Sequence, residues 1–278
     1  MTRIAFRKMH GLGNDFVVLD QRRAPFRLDA AASRALADRR TGIGCDQVIS
    51  LEPPRDPAAQ VFMRIHNPDG SEAEACGNGT RCVALLVAAE SGAATIRIET
   101  VAGLLDAERL SDGRFAVDMG IAKTGWRDIP LGREMDTVRV DLARGPLSQP
   151  VCTSIGNPHA TFFVADAEAV DLAALGPVLE HDSLFPEHAN IGVATVRGPE
   201  TIRLRVWERG AGLTPACGSG ACAALVAASR RGLTGRRATV VVDGGSLDIE
   251  WRADGHVVMT GPAAVSFEGT FDAALLVS

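Results

Sequence analysis

The sequence predicts an α+β protein of two pseudo-symmetric domains, each a curved, mainly antiparallel sheet wrapped around one central helix. Three observations carry that prediction. The motif Glu-Ala-Cys-Gly-Asn-Gly at 74–79 recurs as Pro-Ala-Cys-Gly-Ser-Gly at 215–220, and each copy opens an apolar, Ala-rich helical stretch. Around these copies, further segments recur in the same order in both halves. Short apolar-alternating runs also outnumber helical ones, which favours sheet with a few buried helices over a bundle. A chain of 278 residues is long enough for two cores.

Taken from the N-terminus, Gly13-Asn14 leads into a strand at Phe16–Leu19, as Gly156-Asn157 leads into Thr161–Val164. A helix follows at Asp29–Arg39, with Asp29 as its N-cap. Gln47 and Asn190 stand at the same offset as Asn14 and Asn157. Met63–Asn67 aligns without a gap to Leu204–Glu208, and both read as strands ending nine residues ahead of a cysteine. The cysteine helices span Gly77–Ser91 and Gly218–Arg231. Cys82, Leu85, Leu86 and Ala89 share one face of the first; Cys222, Leu225 and Val226 share one face of the second. Another helix is expected at Asp171–Leu179. Strands at Thr95–Glu99 and Val240–Val242 each run toward a glycine, Gly103 or Gly245, and the halves close on segments ending in Gly120 and Gly261. The stretch Lys123–Arg133 has Gly, Pro and charge but little periodicity, so the halves are divided as 1–121 and 122–264.

Bulk properties exclude several classes. A net charge of −5 and a pI near 5.7 give no electrostatic case for nucleic acid or an anionic membrane. No apolar run reaches the roughly 18 residues of a membrane span. Met1–Lys8 has no apolar leader core, so a cytoplasmic location is expected. Six cysteines in a chain of this size need no disulfide framework, and the spacings of Cys76 to Cys82 and Cys217 to Cys222 fit no zinc site. Gly218–Ala223 satisfies a loose G-x-G-x-x-A pattern, but neither a clean strand nor a βαβ rhythm surrounds it.

Cys76 and Cys217 are the leading chemical candidates. A free cysteine is most often a buried small hydrophobe. These two are instead each followed by Gly-polar-Gly, which leaves backbone N–H groups open at a helix start to receive a carboxylate and to favour a thiolate. Two acidic thiols working on opposite faces of one substrate are therefore expected. Cys82 and Cys222 lie on apolar faces and read as core, and Cys45 and Cys152 also lean that way. Asn14, Gln47, Asn67, Asn78, Asn157 and Asn190 would singly be turn residues. As a set in matching places they read as neutral ligands for ammonium and carboxylate groups. Glu208-Arg209 is either a solvated surface pair or a zwitterion clamp. His159, placed in the turn equivalent to the Asn14 region, is a candidate for setting thiol protonation.

The segments His10–Phe16, Gly42–Gln47, Asn67–Glu72 and Cys76–Cys82 resemble the N-terminal motifs of the diaminopimelate epimerases. Gly156–His159, Asn190–Gly192, Glu208–Gly210 and Ala216–Gly220 resemble their C-terminal ones. The resemblance implies cofactor-independent interconversion of LL- and meso-2,6-diaminopimelate, a step toward lysine and peptidoglycan precursors, with no cofactor and no metal. It implies Cys76 and Cys217 as the acid/base pair and His159 and Glu208 as residues tuning the thiols. Asn14, Gln47, Asn67, Gly77, Asn78, Asn157, Asn190, Glu208, Arg209, Gly218 and Ser219 are implied as substrate ligands. It further implies two domains closing over the substrate, a homodimer, and residues 265–278 packing back on the first domain. The absence of tyrosine and an insertion at Pro53–Pro57 are departures that lie outside the motifs. A proline-type racemase is the nearest rival, but Glu208-Arg209 and the amides favour a substrate with a second zwitterionic end. A thiol–disulfide oxidoreductase would need Cys-x-x-Cys, which is missing here. A non-catalytic amino-acid-binding protein would tolerate Cys-to-Ser exchange.

Overall fold

In the structure, a computed structural model that describes residues 2–74 and 76–277, the chain divides into one unit of Met1–Val117 with Gly261–Ser278 and a second of Asp118–Thr260. Met1, Ala75 inside the first cysteine motif, and Ser278 at the end of the C-terminal segment lie outside the described residues.

In the first unit, β1 (Arg3–Gly11) and β2 (Asn14–Asp20) form a hairpin over Leu12-Gly13. Both loop residues are left-handed (φ 56° and 86°), as the tightest hairpin turns require. Helix α1 (Ala30–Ala37) starts on the Asp29 carboxylate, which accepts from the amides of Ala31 and Ala32. It ends two residues before the expected Arg39, because Asp38 adopts an extended conformation. Next, β3 (Gln47–Glu52) runs parallel to β2, with Gln47 opposite Phe16. Then β4 (Val61–His66) returns antiparallel and folds onto a short β5 (Glu72–Ala73). Helix α2 (Gly77–Ser91) stops at left-handed Gly92. Strand β6 (Thr95–Thr100) lies parallel to β4, followed by β7 (Gly103–Arg109) and β8 (Phe115–Ile121) as antiparallel neighbours.

The second unit repeats this plan after a small hairpin of β9 (Ala143–Arg144) and β10 (Leu147–Ser148). Antiparallel β11 (Val151–Ser154) and β12 (Pro158–Phe163) are followed by α3 (Leu172–Glu180), capped by Asp171. Strand β13 (Asn190–Gly198) runs parallel to β12, with Asn190 opposite His159. This is the Phe16–Gln47 pairing moved to the second half. Strand β14 (Thr201–Glu208) folds onto β15 (Gly212–Leu213) in the same register as β4 onto β5. Helix α4 (Gly218–Arg230), β16 (Arg237–Val242), parallel to β14, then β17 (Gly245–Trp251) and β18 (His256–Gly261) complete it. The last strand, β19 (Ala264–Asp272), pairs along β1 in the first unit, and a 3-10 turn at Ala273–Val277 packs on α1.

Pairing is mainly antiparallel, but each unit holds two parallel pairs, and each of those is bridged by a helix-containing crossover. The cysteine helices are the crossovers from β4 to β6 and from β14 to β16. Helix α2 packs against β1, β6, β7 and β19; α4 packs against β11–β14, β16 and β17. Rather than one apolar stripe, almost the whole circumference is buried, from Gly77 to Ala84 and from Gly220 to Ala228. On the expected face of α2, Leu85 is half-buried and Ala89 exposed. Small alanines allow a sheet to close around a helix at such short range. Among the described residues, no helix is long and apolar enough to cross a membrane.

Helix α3 meets β14 at Gly176, where an added Cβ would overlap the Trp207 ring. Gly176→Ala would ordinarily favour a helix by about 0.5–1 kcal/mol. Here overpacking should reverse the sign and destabilise by about 1–3 kcal/mol in urea unfolding; an unchanged or raised midpoint would contradict the contact.

Candidate active site

Each cysteine is the N-cap of its unit's central helix, in extended conformation. In the first unit, Cys76 Sγ accepts from the Gly79 amide at 3.4 Å and its thiol faces Asn14 Oδ1 at 4.0 Å. The same oxygen accepts from Asn78 Nδ2 at 3.1 Å. Behind these amides stands a charged frame. Asn14 Nδ2 donates to Asp46 at 2.9 Å, and Arg39 bridges Asp46 and Asp15 at 2.8 and 2.7 Å. Lys8 pairs with Asp15 at 2.6 Å. Burial pushes the Asp15 carboxyl up, but bonds from Arg39 and Lys8 outweigh it and hold it down at about 2. Gln47 Nε2 donates to Asn67 Oδ1 at 2.9 Å, while Gln47 Oε1 is buried without a partner among the described residues.

In the second unit, Cys217 is 3% exposed. Its Sγ lies 3.7 Å from Ser219 Oγ. Asn157 Nδ2 donates to that hydroxyl at 3.3 Å, and His159 Nε2 reaches Asn157 Oδ1 at 2.9 Å and Ser219 Oγ at 3.1 Å. An amide oxygen only accepts, so His159 carries its proton on Nε2. Burial, and then the Arg209 guanidinium, push His159 down to about 3, so the ring is neutral. The sequence expected His159 in a turn; it stands on β12, facing Ser219, and reaches the thiol only through that hydroxyl. Asn190 Nδ2 donates to Pro158 O, and its Oδ1 accepts the Arg209 amide at 3.0 Å. Arg209 Nη1 donates to Glu187 O. Glu208 accepts from the Thr214 hydroxyl.

The two thiols have unlike surroundings. Burial pushes the Cys217 thiol well above its ordinary value, and the Glu208 carboxylate adds to this by its charge and by accepting the S–H; Gly220 N–H and Ser219 pull the other way and lose. The expectation of an acidic thiol at a helix start therefore does not hold for Cys217: desolvation outweighs the helix terminus. Cys45, Cys82 and Cys152 are buried and pushed up to about 12 by desolvation, as suits inert core thiols.

A sequence profile of the diaminopimelate epimerase family matches residues 6–125 and 151–266. The chain belongs to the diaminopimelate epimerase family. It is 63% identical over 271 residues to the diaminopimelate epimerase of Rhodospirillum centenum, covering 98% of this chain and 93% of that one. It is 59% identical to that of Acidiphilium cryptum, covering 98% and 97%. Its fold also resembles more distant solved structures. A hydroxyproline epimerase from Agrobacterium vitis superposes with a TM-score of 0.69 at 15% identity, covering 99% of this chain and 94% of that one. A phenazine biosynthesis protein from Bacillus anthracis gives 0.65 at 15% identity, covering 98% and 100%.

Within this member of the epimerase family, the residues that sequence reasoning missed are the supports. Asp46 and Arg81 stand inside recognised motifs, yet nothing in those motifs says that Asp46 holds Asn14 or that Arg81, fully buried, holds Asn78 Oδ1 at 2.8 Å and Pro262 O at 3.1 Å. Thr214, which holds Glu208, carries no signal at all.

His159 has a folded-state pKa below the ordinary imidazole value of about 6.5, so its stabilising contribution is whole above that value and is lost as pH falls toward about 3. At about pH 5, the imidazole nitrogen shifts of His159 should still be those of a neutral ring protonated on Nε2. A cationic ring there would contradict the burial argument.

Proposed function

We propose that this chain interconverts LL- and meso-2,6-diaminopimelate by inverting one α-carbon with two cysteines, Cys76 and Cys217, and without a cofactor. What supports the reading is a family match along nearly the whole chain together with a cysteine at the N-cap of the buried helix in each unit.

Removing a proton α to a carboxylate puts negative charge on that carboxylate. Without an external electron sink the charge must be met by fixed donors. The backbone N–H groups at Gly77-Asn78 and Gly218-Ser219 are proposed for that task, because the first turn of a helix has no internal partners for them. Cys217, held as a thiol with Glu208 as acceptor, is the acid in one direction. Cys76, whose Sγ already receives an N–H, is the base; the roles exchange in reverse. The partnerless Gln47 Oε1 is proposed to accept from a substrate ammonium group. Arg209, exposed and, among the described residues, tied through Nη1, is proposed to take the distal carboxylate. Asn14, Asn67, Asn157 and Asn190 have both side-chain polar atoms bonded once, and since an amide carries two N–H groups and two lone pairs, they are proposed to join them as ligands while holding their neighbours.

We place the reaction in the cytoplasm, where a reducing medium keeps paired reactive thiols reduced. We also propose a homodimer, with Val265 and Phe267, 42% and 51% exposed on β19, covered by a second copy.

Cys76→Ser and Cys217→Ser should each lower the rate of meso product from LL substrate by about 10²–10⁴-fold, followed by chiral chromatography, with an unchanged circular dichroism spectrum. A near-normal rate in either variant would overturn the two-cysteine reading. A single-chain mass in sedimentation velocity would remove the dimer.

A further inference from the structure

At the C-terminal end of α3, Glu180, His181 and His188 each offer a ligand atom, all within 4.8 Å of one another. We propose that these three residues form a binding site for a divalent transition ion of the zinc type, separate from the thiol chemistry.

The carboxylate comes first. Glu180 is 4% exposed, yet the bonds it accepts come from neutral donors, Trp207 Nε1 at 2.7 Å and the Gly210 amide at 2.9 Å. No Lys or Arg among the described residues pairs with it. A buried carboxylate whose partners are neutral N–H groups has no counter-charge beside it, a setting in which a cation would be favoured. Each oxygen has spent one acceptor position, so each retains another.

The histidines supply the rest. His181 Nδ1 lies 2.9 Å from the carbonyl of Pro177, so that nitrogen carries the proton and the Nε2 lone pair remains for a metal. A backbone carbonyl on one ring nitrogen is the support that fixes the tautomer of a metal-binding histidine. His188 adopts a left-handed backbone (φ 59°), which is uncommon for a residue with a side chain. In that turn its ring lies 4.2 Å from that of His181, tilted by 51°. The chain is drawn back to the helix end by bonds from His188 N to Phe185 O and from Ala189 N to Glu180 O. Two imidazoles and one carboxylate are a donor set that zinc accepts with water in the fourth position, at ligand distances of about 2.0–2.2 Å. Both histidines are exposed. The cysteine spacings gave no sign of such a site.

Because Glu180 also holds Trp207 and Gly210, on either side of Glu208 and Arg209, a bound ion would stiffen that turn. The test uses the full chain carrying Cys76→Ser and Cys217→Ser, so that the reactive thiols cannot capture the probe. Calorimetric titration with Zn²⁺ should give one ion per chain. His181→Ala and His188→Ala, both at exposed positions, should each weaken binding by at least about tenfold, the lower end of what losing even an outer-shell partner costs. Thermal midpoints in chelator should match the parent, and Zn²⁺ should raise the midpoint in the parent alone. Co²⁺ should give a visible d–d spectrum without a thiolate-to-metal band. Absence of binding in the parent, equal affinity in both histidine variants, or a thiolate band would each overturn the proposal.

Discussion

The burial of a helix on nearly all sides is the constraint on which each half of this protein depends. A helix start has N–H groups with no partner inside the helix, and here that start lies inside a folded unit. Cys76 Sγ takes one of these groups, from Gly79, and Thr80 N returns to Cys76 O. Space at the thiols is tight. A Cβ on Gly79 would come within 2.9 Å of Ile49 Cδ1, and one on Gly220 within 3.2 Å of Cys217 Sγ and 3.1 Å of Val206. The second glycine of each Cys-Gly-polar-Gly motif thus follows from close packing as much as from chemistry. The parallel crossovers fix where each helix begins, since its entry and exit strands lie side by side.

The backbones of the two halves agree in register, but their polar supports differ. Where the second half has neutral His159 opposite Asn190, the first has Phe16 opposite Gln47. The first half supports its amides with a charged frame of Lys8, Asp15, Arg39 and Asp46. The second uses Asn157, His159 and Ser219, with Glu208 beside the thiol. A duplicated scaffold with unlike electrostatics suits the proposed two-cysteine reaction, which would need an acid and a base of the same residue type at any one moment.

Much of this was legible in the sequence for reasons that can be named. The helix at Gly77–Ser91 could be read to its last residue because Gly92 is its left-handed stop, and α3 and α4 ended one residue from expectation. The recurring offsets located Gln47 and Asn190, which occupy matching places on parallel strands. Strand direction was not legible, since parallel pairing depends on where a crossover helix packs. Nor was the end of α1, where Asp38 breaks the helix and its side chain bonds the amides of Arg40 and Thr41. The high pKa of Cys217 was invisible because it comes from burial and from Glu208, neither of which motif spacing reports. Glu180 carried no signal either, because its partners Trp207 and Gly210 are far along the chain.

The measurement that most directly tests this account is the fate of the α-proton when LL-diaminopimelate is converted in D₂O and the mixture is analysed early. Two thiols acting from opposite faces predict meso product carrying one deuterium at the inverted centre, while unconverted LL substrate remains unlabelled. Deuterium entering LL substrate as fast as meso product, or product retaining the original proton, would mean that a single base serves both faces and would contradict the account.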